Sequence, residues 1–208
     1  IILFARVAFD LSYTNGYKEP DKLAVVLGIY TSNGVPSSPT KIIMGPVPGT
    51  IMKDFPEEVE CASLGRDQGD ATFFLGEQRH VGNMVVGDTL FFRTMGIPVT
   101  SGQEMDLSMN NMAFISEEFA RRIFGTTDVI GKTLMQDKTQ EITIRGTFIQ
   151  VEENNSIRPD IVKSIAGWGG YMGWGGGDAF QGFVRLKEAS DWEKVNKRID
   201  AVVEQYMA

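Results

Sequence analysis

Runs of apolar residues between turn-rich segments predict strands and a short helix in the first third of the chain. The run at residues 23–30 is apolar and branched, which is typical of a buried strand, and turn residues precede it at 14–21. Ile51, Met52 and Phe55 share one helical face, and Pro56 ends that helix. Residues 59–64 predict a second strand, so this part of the chain forms a predicted β-α-β unit whose two strands pair in one sheet.

The middle of the chain predicts a β-rich region around one helix. Ser116 has the position of an N-cap, an apolar face follows it, and Gly125 supplies the C-terminal stop. The strand candidates are residues 71–75, 80–86, 112–115, 133–135 and 141–150. Residues 137–140 form the predicted hairpin turn before the last of them.

The C-terminal part predicts a strand at residues 181–186 and then one helix. Ser190 and Glu193 have capping-box spacing at the start of that helix. Its apolar face consists of Trp192, Val195, Ile199, Val202, Val203 and Tyr206. Because this face needs a sheet to cover, we expect an α+β fold in which both chain ends form one discontinuous, outer, α/β-sandwich-like subdomain. We assign residues 1–66 and 160–208 to this outer, porter-like subdomain and residues 67–159 to an inserted β-rich subdomain with one helix.

Composition and charge exclude several classes of function. The chain of 208 residues has 27 acidic and 20 basic residues and a net charge of −7, which repels nucleic acid and anionic lipid. The only cysteine, Cys61, and the only histidine, His80, provide neither a zinc site nor a Cys-His or Ser-His pair. We therefore predict no metal, no cofactor and no catalytic residues.

Three groups of residues resemble functional motifs without their context. Residues 125–133 resemble a phosphate-binding loop, but five residues instead of four separate the glycines, and a predicted helix precedes the segment while a strand follows it. The carboxylates Glu57, Glu58 and Glu60 fall in a polar stretch, where a solvated surface is the better interpretation. Asp67, Gln68 and Asp70 lack the spacing of a calcium loop.

The glycine-rich segment at residues 167–177 carries the candidate contact residues. Glycine at this density disfavours helix and strand, so Trp168, Tyr171 and Trp174 are predicted on a flexible loop. Tryptophan and tyrosine are enriched at interface hot spots, but such a loop also suits a lid over the protein's own core. The sequence leaves both interpretations open.

The apolar opening at residues 1–9 also has two interpretations. It is far shorter than the roughly 20 residues that a membrane-spanning helix needs. It is therefore either an ordinary buried strand or helix, which composition favours, or the tail of a transmembrane helix.

An ordered set of short motifs adds a family resemblance. The set comprises residues 55–60 (FPEEVE), 88–92 (DTLFF) before Gly102, 114–125 (FISEEFARRIFG), 128–132 (DVIGK), Gly146, and 152–161 with Asn155-Ser156 and Arg158-Pro159-Asp160-Ile161. Together these motifs resemble the MacB-like periplasmic core domain of bacterial ABC-transporter permeases (MacB/FtsX-type). Val129 stands where the family commonly has proline, and the tryptophan-glycine segment is outside the pattern.

The resemblance implies a non-catalytic extracytoplasmic domain at the bacterial inner membrane. A transmembrane helix would end at about Ile1 and another would begin beyond Ala208, which reverses the preference that composition gives for the opening. The implied partners are a cytoplasmic ATPase subunit or domain, a periplasmic adaptor or lipoprotein, and a second permease in a dimer. The domain would couple ATP-driven conformational change to a periplasmic partner or exported substrate, through subdomains that shift relative to each other.

A second hypothesis comes from a different class of protein. A soluble extracytoplasmic carbohydrate-binding or carbohydrate-active protein would use Trp168, Tyr171 and Trp174 as a stacking platform, with a carboxylate such as Asp178 nearby.

Overall fold

The computed structural model describes residues 2–8, 17–33, 35–152, 155, 157–174 and 177–207. Within these residues the strands are β1 (Ile2–Ala8), β2 (Leu23–Ser32), β3 (Val35–Pro36), β4 (Ile43–Met44), β5 (Val59–Leu75), β6 (Gln78–Gly87), β7 (Val99–Ser101), β8 (Met112–Ser116), β9 (Thr133–Gln136), β10 (Gln140–Phe148), β11 (Ile161–Ser164) and β12 (Asp178–Leu186). The helices are α1 (Val47–Asp54), α2 (Phe91–Met95), α3 (Glu117–Phe124), α4 (Trp192–Asn196) and α5 (Ile199–Met207).

Contacts divide the chain into two compact units. The first unit comprises described residues in the ranges 1–12, 19–64 and 168–208, and the second comprises those in the ranges 13–18 and 65–167. The sequence predicts an insert at residues 67–159. Residues 160–167 belong to the second unit because β11 pairs with β6 and β8.

The first unit is a sheet with helices on it. Its strand order is β1-β2-β12-β5, so β12 separates the two strands of the predicted β-α-β unit. Both α4 and α5 pack on β1, and α1 contacts α5 and β12. The core of this unit is apolar, with Val26, Ile43, Ile51, Phe55 and Val184 each fully buried.

The apolar opening of the chain forms a strand. Residues 2–8 pair antiparallel with residues 25–31 of β2, so the backbone groups of β1 that face β2 are paired in a ladder. The interpretation of residues 2–8 as the tail of a transmembrane helix is therefore wrong.

The C-terminal helix differs from its prediction. The structure has a 3₁₀ turn, Ala189–Asp191, followed by α4 and α5 as separate helices. The capping box is formed by Glu188 and Asp191, not by Ser190 and Glu193. Val195 and Ile199 are buried, in agreement with the predicted face, whereas Trp192 is 37% exposed.

The strands of the second unit form a closed ring. Backbone ladders join β5 to β6, β6 to β11, β11 to β8, β8 to β10, β10 to β9 and β9 back to β5. The last ladder has only two residue pairs, Phe73 with Gln136 and Phe74 with Met135, and the Asp137 amide extends it by donating to the Thr72 carbonyl. The ring is therefore a small barrel with one short seam.

A buried lysine crosses this ring. Lys163 lies on β11, opposite β9 in the ring, and its Nζ donates to Oε1 of Gln136 at 2.8 Å and to Oε1 of Gln140. Burial lowers the pKa of Lys163, and the nearby Asp137 carboxylate partly opposes this effect. The lysine thus holds the β9–β10 hairpin to the far side of the barrel.

The helix α3 agrees closely with its prediction. Ser116 accepts a hydrogen bond from the Phe119 amide as N-cap, and Gly125 ends the helix with φ 70°. Phe119 is buried and lies edge-on to Phe73, with ring centroids 6.0 Å apart. A second helix, α2, was not predicted, because its five residues are too few to show a helical repeat of apolar positions.

Close packing at Gly146 gives a first prediction. A Cβ on this residue would lie 2.2 Å from both Phe114 Cε1 and the Ser101 carbonyl oxygen. We expect Gly146→Ala to lower the free energy of unfolding by about 1–3 kcal/mol, because the Ser101 backbone cannot move aside easily. Urea unfolding measures this difference.

The control is Gly49→Ala in α1, where no atom lies within 4 Å of the new methyl group. We expect this variant to be stabilised by about 0.5–1 kcal/mol. Equal midpoints for the two variants would contradict the packing described for Gly146.

The Asp191 cap gives a second prediction, which depends on pH. The hydrogen bond from Lys194 (2.7 Å) lowers the pKa of Asp191, and the Glu188 amide also donates to its carboxylate. Because the folded-state pKa is below the unfolded value, the stabilisation is present above the usual Asp pKa of about 4 and is lost as pH falls through the folded-state pKa.

We therefore expect Asp191→Ala to cost about 1 kcal/mol at neutral pH. The difference from the parent protein should shrink on acidification below about pH 4, as measured by thermal unfolding across pH. The exposed Glu77 provides the control substitution, Glu77→Ala. A cost for Asp191→Ala that does not change with pH would rule out the carboxylate as its origin.

Candidate functional site

The tryptophan-glycine segment begins with 3₁₀ turns. Ala166–Tyr171 is a 3₁₀ helix with a kink at Trp168, and the Met172 amide donates to the Gly169 carbonyl at 3.2 Å. The prediction that this stretch contains no helix is wrong. A 3₁₀ turn needs only one local hydrogen bond at each step, so glycine does not prevent it.

Trp168 packs on the core of the first unit. Its ring lies 5.7 Å from that of Phe180 on β12, at an interplanar angle of 59°. Phe180 is fully buried, whereas Trp168 is half-buried. The indole is therefore anchored at one side and keeps part of its surface exposed.

Trp174 has a different support. Its ring stacks on Tyr206 of α5, with centroids 5.7 Å apart and an interplanar angle of 14°. Lys53 of α1 donates from Nζ to the Tyr206 hydroxyl at 3.0 Å and lies 5.4 Å from the centre of that ring. This hydrogen bond raises the pKa of Lys53. The segment is thereby connected through α5 to α1.

The third candidate, Tyr171, has its backbone at the end of the 3₁₀ helix, but its side chain lies outside the described residues. Met172 beside it is 38% exposed. A Cβ built on Gly169, Gly170 or Gly173 would meet no atom within 4 Å. Both described tryptophans thus contact their own unit, next to backbone that is open on its outer side.

The segment that resembles a phosphate-binding loop connects a helix to a strand. It follows α3 and leads into β9, and Gly125 and Gly131 both have positive φ. Lys132 Nζ lies 5.1 Å from the centre of the Phe124 ring. A phosphate site needs the opposite order, with a helix N-terminus after the glycines, so the prediction of a structural turn is confirmed.

The other polar candidates occupy structural positions. Asp67 accepts a hydrogen bond from the Gly69 amide at 2.8 Å where β5 has a bulge, and Glu58 lies 3.9 Å from Arg198. Cys61 is buried, and His80 lies on β6 opposite Phe73. Within the part of the chain that the structure describes, no three or more His, Cys, Asp and Glu side chains cluster as metal ligands would.

A cleft in the second unit was not predicted from the sequence. Its volume is about 330 Å³, and its lining residues include Tyr17, Ile97, Ile149 and Gln150. The Tyr17 hydroxyl donates to the Ile157 carbonyl, and burial raises the pKa of this phenol. The apolar residues around Pro98 and Ile149 were the available signal, but Ile149 fell within the strand candidate at 141–150 and Pro98 within no predicted element.

The described helices are short. None of them has the length and apolar composition that crossing a bilayer requires.

Comparisons with known proteins agree on one family. The family model of the MacB-like periplasmic core domain matches residues 17–202. No curated protein sequence gives a significant match.

Several solved structures share the fold. A domain assigned to a permease of Porphyromonas gingivalis is 23% identical with a TM-score of 0.74, over 90% of this chain and 82% of that one. The periplasmic region of MacB from Actinobacillus actinomycetemcomitans is 14% identical with a TM-score of 0.59, over 79% and 76%. The extracellular domain of the noncanonical ABC-type transporter YknZ from Gram-positive bacteria is 13% identical with a TM-score of 0.58, over 80% and 86%.

These neighbours confirm the predicted α+β fold class, and the family model covers most of the chain. Domains of this family are the periplasmic parts of ABC-transporter permeases and lie on the extracytoplasmic side of the membrane. The chain therefore belongs to the family of MacB-like periplasmic core domains.

Proposed function

We propose that this domain is non-catalytic and couples ATP-driven conformational change in its transporter to a periplasmic partner or exported substrate. An ABC transporter of this family works with an ATPase, which supplies the energy. In the full-length permease the domain is anchored in the inner membrane, the permease acts as a dimer, and a periplasmic adaptor or lipoprotein is the partner.

The stack of Trp174 on Tyr206 is the observation that carries this proposal. Both α4 and α5 pack on β1, so the first and last elements of the chain lie together. A displacement of α5 moves Tyr206, which is the support of Trp174. A partner that has different affinities for two positions of this segment would therefore shift the position of α5 when it binds.

Trp168, Tyr171 and Trp174 are the contact residues that we propose for the partner. Large aromatic side chains beside open glycine backbone suit an interface hot spot. The Trp168 ring already packs on Phe180, which reduces the side-chain entropy that would be lost on binding a partner.

The carbohydrate-binding hypothesis has less physical support. Stacking on Tyr206 covers one face of the Trp174 indole, and the side chain of Asp178 lies outside the described residues. Titration of the domain with a glycan panel, followed by tryptophan fluorescence, tests it. Saturable quenching by one glycan would favour this hypothesis over partner contact.

Substitution of the tryptophans tests the contact role. In the full-length permease, Trp168→Ala and Trp174→Ala should each reduce retention of the periplasmic partner by about tenfold or more, as expected for hot-spot residues. Photo-crosslinking in membranes, quantified for the captured partner, measures this. ATP hydrolysis without partner should persist.

The matched control is Trp192→Ala, the third tryptophan of the chain, which is 37% exposed on α4. It should leave partner retention unchanged. Equal losses for all three variants, or no loss for Trp168→Ala and Trp174→Ala when both are folded by thermal unfolding, would argue against the segment as the contact site.

A separate prediction concerns the stack itself. In a domain with Trp168→Phe and Trp192→Phe, Trp174 is the only indole, so its exposure is measured by acrylamide quenching. Tyr206→Ala should increase that quenching, because Trp174 loses its support. Tyr206→Phe keeps the ring and loses only the hydroxyl that Lys53 contacts, so it should quench like the parent. Identical quenching in Tyr206→Ala would contradict the stack.

A further inference from the structure

One ladder in the ring of the second unit is shorter than the others. Strand β9 is joined to β5 by two residue pairs, whereas it is joined to β10 by four, and β5 is joined to β6 by ten. The other ladders of the ring have three to five pairs. A local opening of the ring therefore breaks the fewest backbone hydrogen bonds at the seam between β9 and β5.

The alternation of the antiparallel ladder identifies the hydrogen bonds of the seam. Residue pairs that exchange two hydrogen bonds alternate with pairs that exchange none. The Asp137 amide donates to the Thr72 carbonyl at 3.0 Å, so Phe74 and Met135 are the next hydrogen-bonded pair. The amide of Phe73, between them, is directed at β6. The seam thus consists of three backbone hydrogen bonds.

Solvent lies closer to the seam than to the opposite side of the ring. Thr72, Phe74 and Met135 are half-buried and Asp137 is exposed, whereas all four residues of β11 are buried. Local opening of a protein is favoured where backbone hydrogen bonds lie near solvent and few buried side chains have to separate. Burial and ladder length therefore both indicate the seam as the place of opening.

The tip of the β9–β10 hairpin, Asp137-Lys138, has a backbone conformation that its own sequence does not favour. The φ angle is 50° at Asp137 and 59° at Lys138. Such a left-handed turn prefers asparagine and glycine, and a lysine in it costs free energy. Lys138 Nζ lies 4.7 Å from the centre of the Phe74 ring on the other side of the seam. This contact exists only while the seam is closed, so closure offsets part of the cost of the turn.

Lys163 acts on the same hairpin from inside the barrel. Its Nζ donates to Oε1 of Gln136 at 2.8 Å and to Oε1 of Gln140. These two residues flank the tip, because β9 ends at Gln136 and β10 begins at Gln140. The hairpin is therefore held by one lysine on the inner side of the barrel and by another, Lys138, on the outer side.

We propose that the seam is a latch: β9 separates from β5 while the hairpin keeps its ladder to β10, so that the barrel alternates between a closed and an open ring. The contacts of Lys138 and Lys163 determine the fraction of open ring. A ligand with different affinities for the two states shifts this fraction. The inference does not rest on the coupling role or on the tryptophan segment.

Amide hydrogen exchange of the ¹⁵N-labelled chain, followed by NMR, tests the proposal. The amides of Phe74, Met135 and Asp137 belong to the seam, whereas those of Phe73 and Leu134 lie on the same two strands and face β6 and β10. We expect similar protection factors for the three seam amides, at least about tenfold below those of Phe73 and Leu134. Equal protection of both sets would overturn the proposal, because the ring would then open only as a whole.

Removal of the outer contact should increase the opening. We expect Lys138→Ala to speed exchange of the seam amides about two- to fivefold, as the loss of an exposed cation–π contact implies, and to leave Phe73 unchanged. The matched control is Lys132→Ala, because Lys132 Nζ lies 5.1 Å from the centre of the Phe124 ring, beyond the other end of β9. Equal effects of the two variants on the seam amides, or no effect of Lys138→Ala, would contradict the latch.

A disulfide across the seam should prevent the opening. Hydrogen-bonded pairs of an antiparallel ladder have Cα atoms about 5.5 Å apart, which suits a disulfide. In Phe74→Cys/Met135→Cys, oxidation should raise the protection factor of the Asp137 amide at least about tenfold over the reduced form of the same variant. A bond that does not form in the folded variant, or that forms without this gain, would refute the two-state seam.

The inner contact has its own variant. Lys163→Met should speed exchange of the seam amides about tenfold relative to that of Phe73, because the hydrogen bonds to Gln136 and Gln140 are lost. Unchanged seam exchange in the folded variant would overturn the part assigned to Lys163. Should Lys163→Met fail to fold, Lys138→Ala and the disulfide decide the outcome.

Discussion

Closure of the six-strand ring is the constraint on which the second unit depends. The ladder between β9 and β5 has two residue pairs, so the seam is short compared with the ten-pair ladder between β5 and β6. Lys163 compensates for this by reaching from β11 across the barrel to Gln136 and Gln140, next to the seam. Burying an ammonium group costs free energy, and the two amide oxygens repay part of that cost.

The same ring determines where α3 and the cleft lie. Phe119 of α3 packs against Phe73, which is itself a seam residue, so the helix covers the point of closure. Strand β10 pairs with β9 through residues 140–143 and with β7 through residues 147–148. Next to the second ladder, the Ile149 amide donates to the Pro98 carbonyl, and both residues line the cleft. The barrel thus has an apolar cleft at its margin. In the first unit, the Trp168 ring contacts Phe180 and the Trp174 ring stacks on Tyr206.

Local signals were sufficient for some elements and not for others. The helix α3 was predicted with its caps because Ser116, the acidic first turn and Gly125 all act within one helix. The family was identified from the ordered motifs, and the family model confirms it. The capping box at the C-terminal helices was misassigned because Glu188 and Asp191 satisfy the same spacing rule as Ser190 and Glu193, and only packing distinguishes them.

Other features depend on residues far apart in sequence. The ring joins Phe73 to Gln136, and no local pattern indicates such a pair. The supports of Trp168 and Trp174 are likewise distant elements, β12 and α5, so the sequence left the segment open between lid and contact site. Lys163 lies within an apolar run at residues 161–165, and that placement was a usable sign of burial.

The single cysteine has a practical consequence. Cys61 is 2% exposed in the sheet of the first unit, and a thiol shielded in this way reacts slowly with alkylating reagents. A cysteine introduced at an exposed position is then the reactive thiol of the chain, with Cys61 left in place. Spectroscopic labels can therefore be attached one at a time to α5, to the glycine-rich segment or to the hairpin tip at Gly76, so that each label reports on one position of the domain.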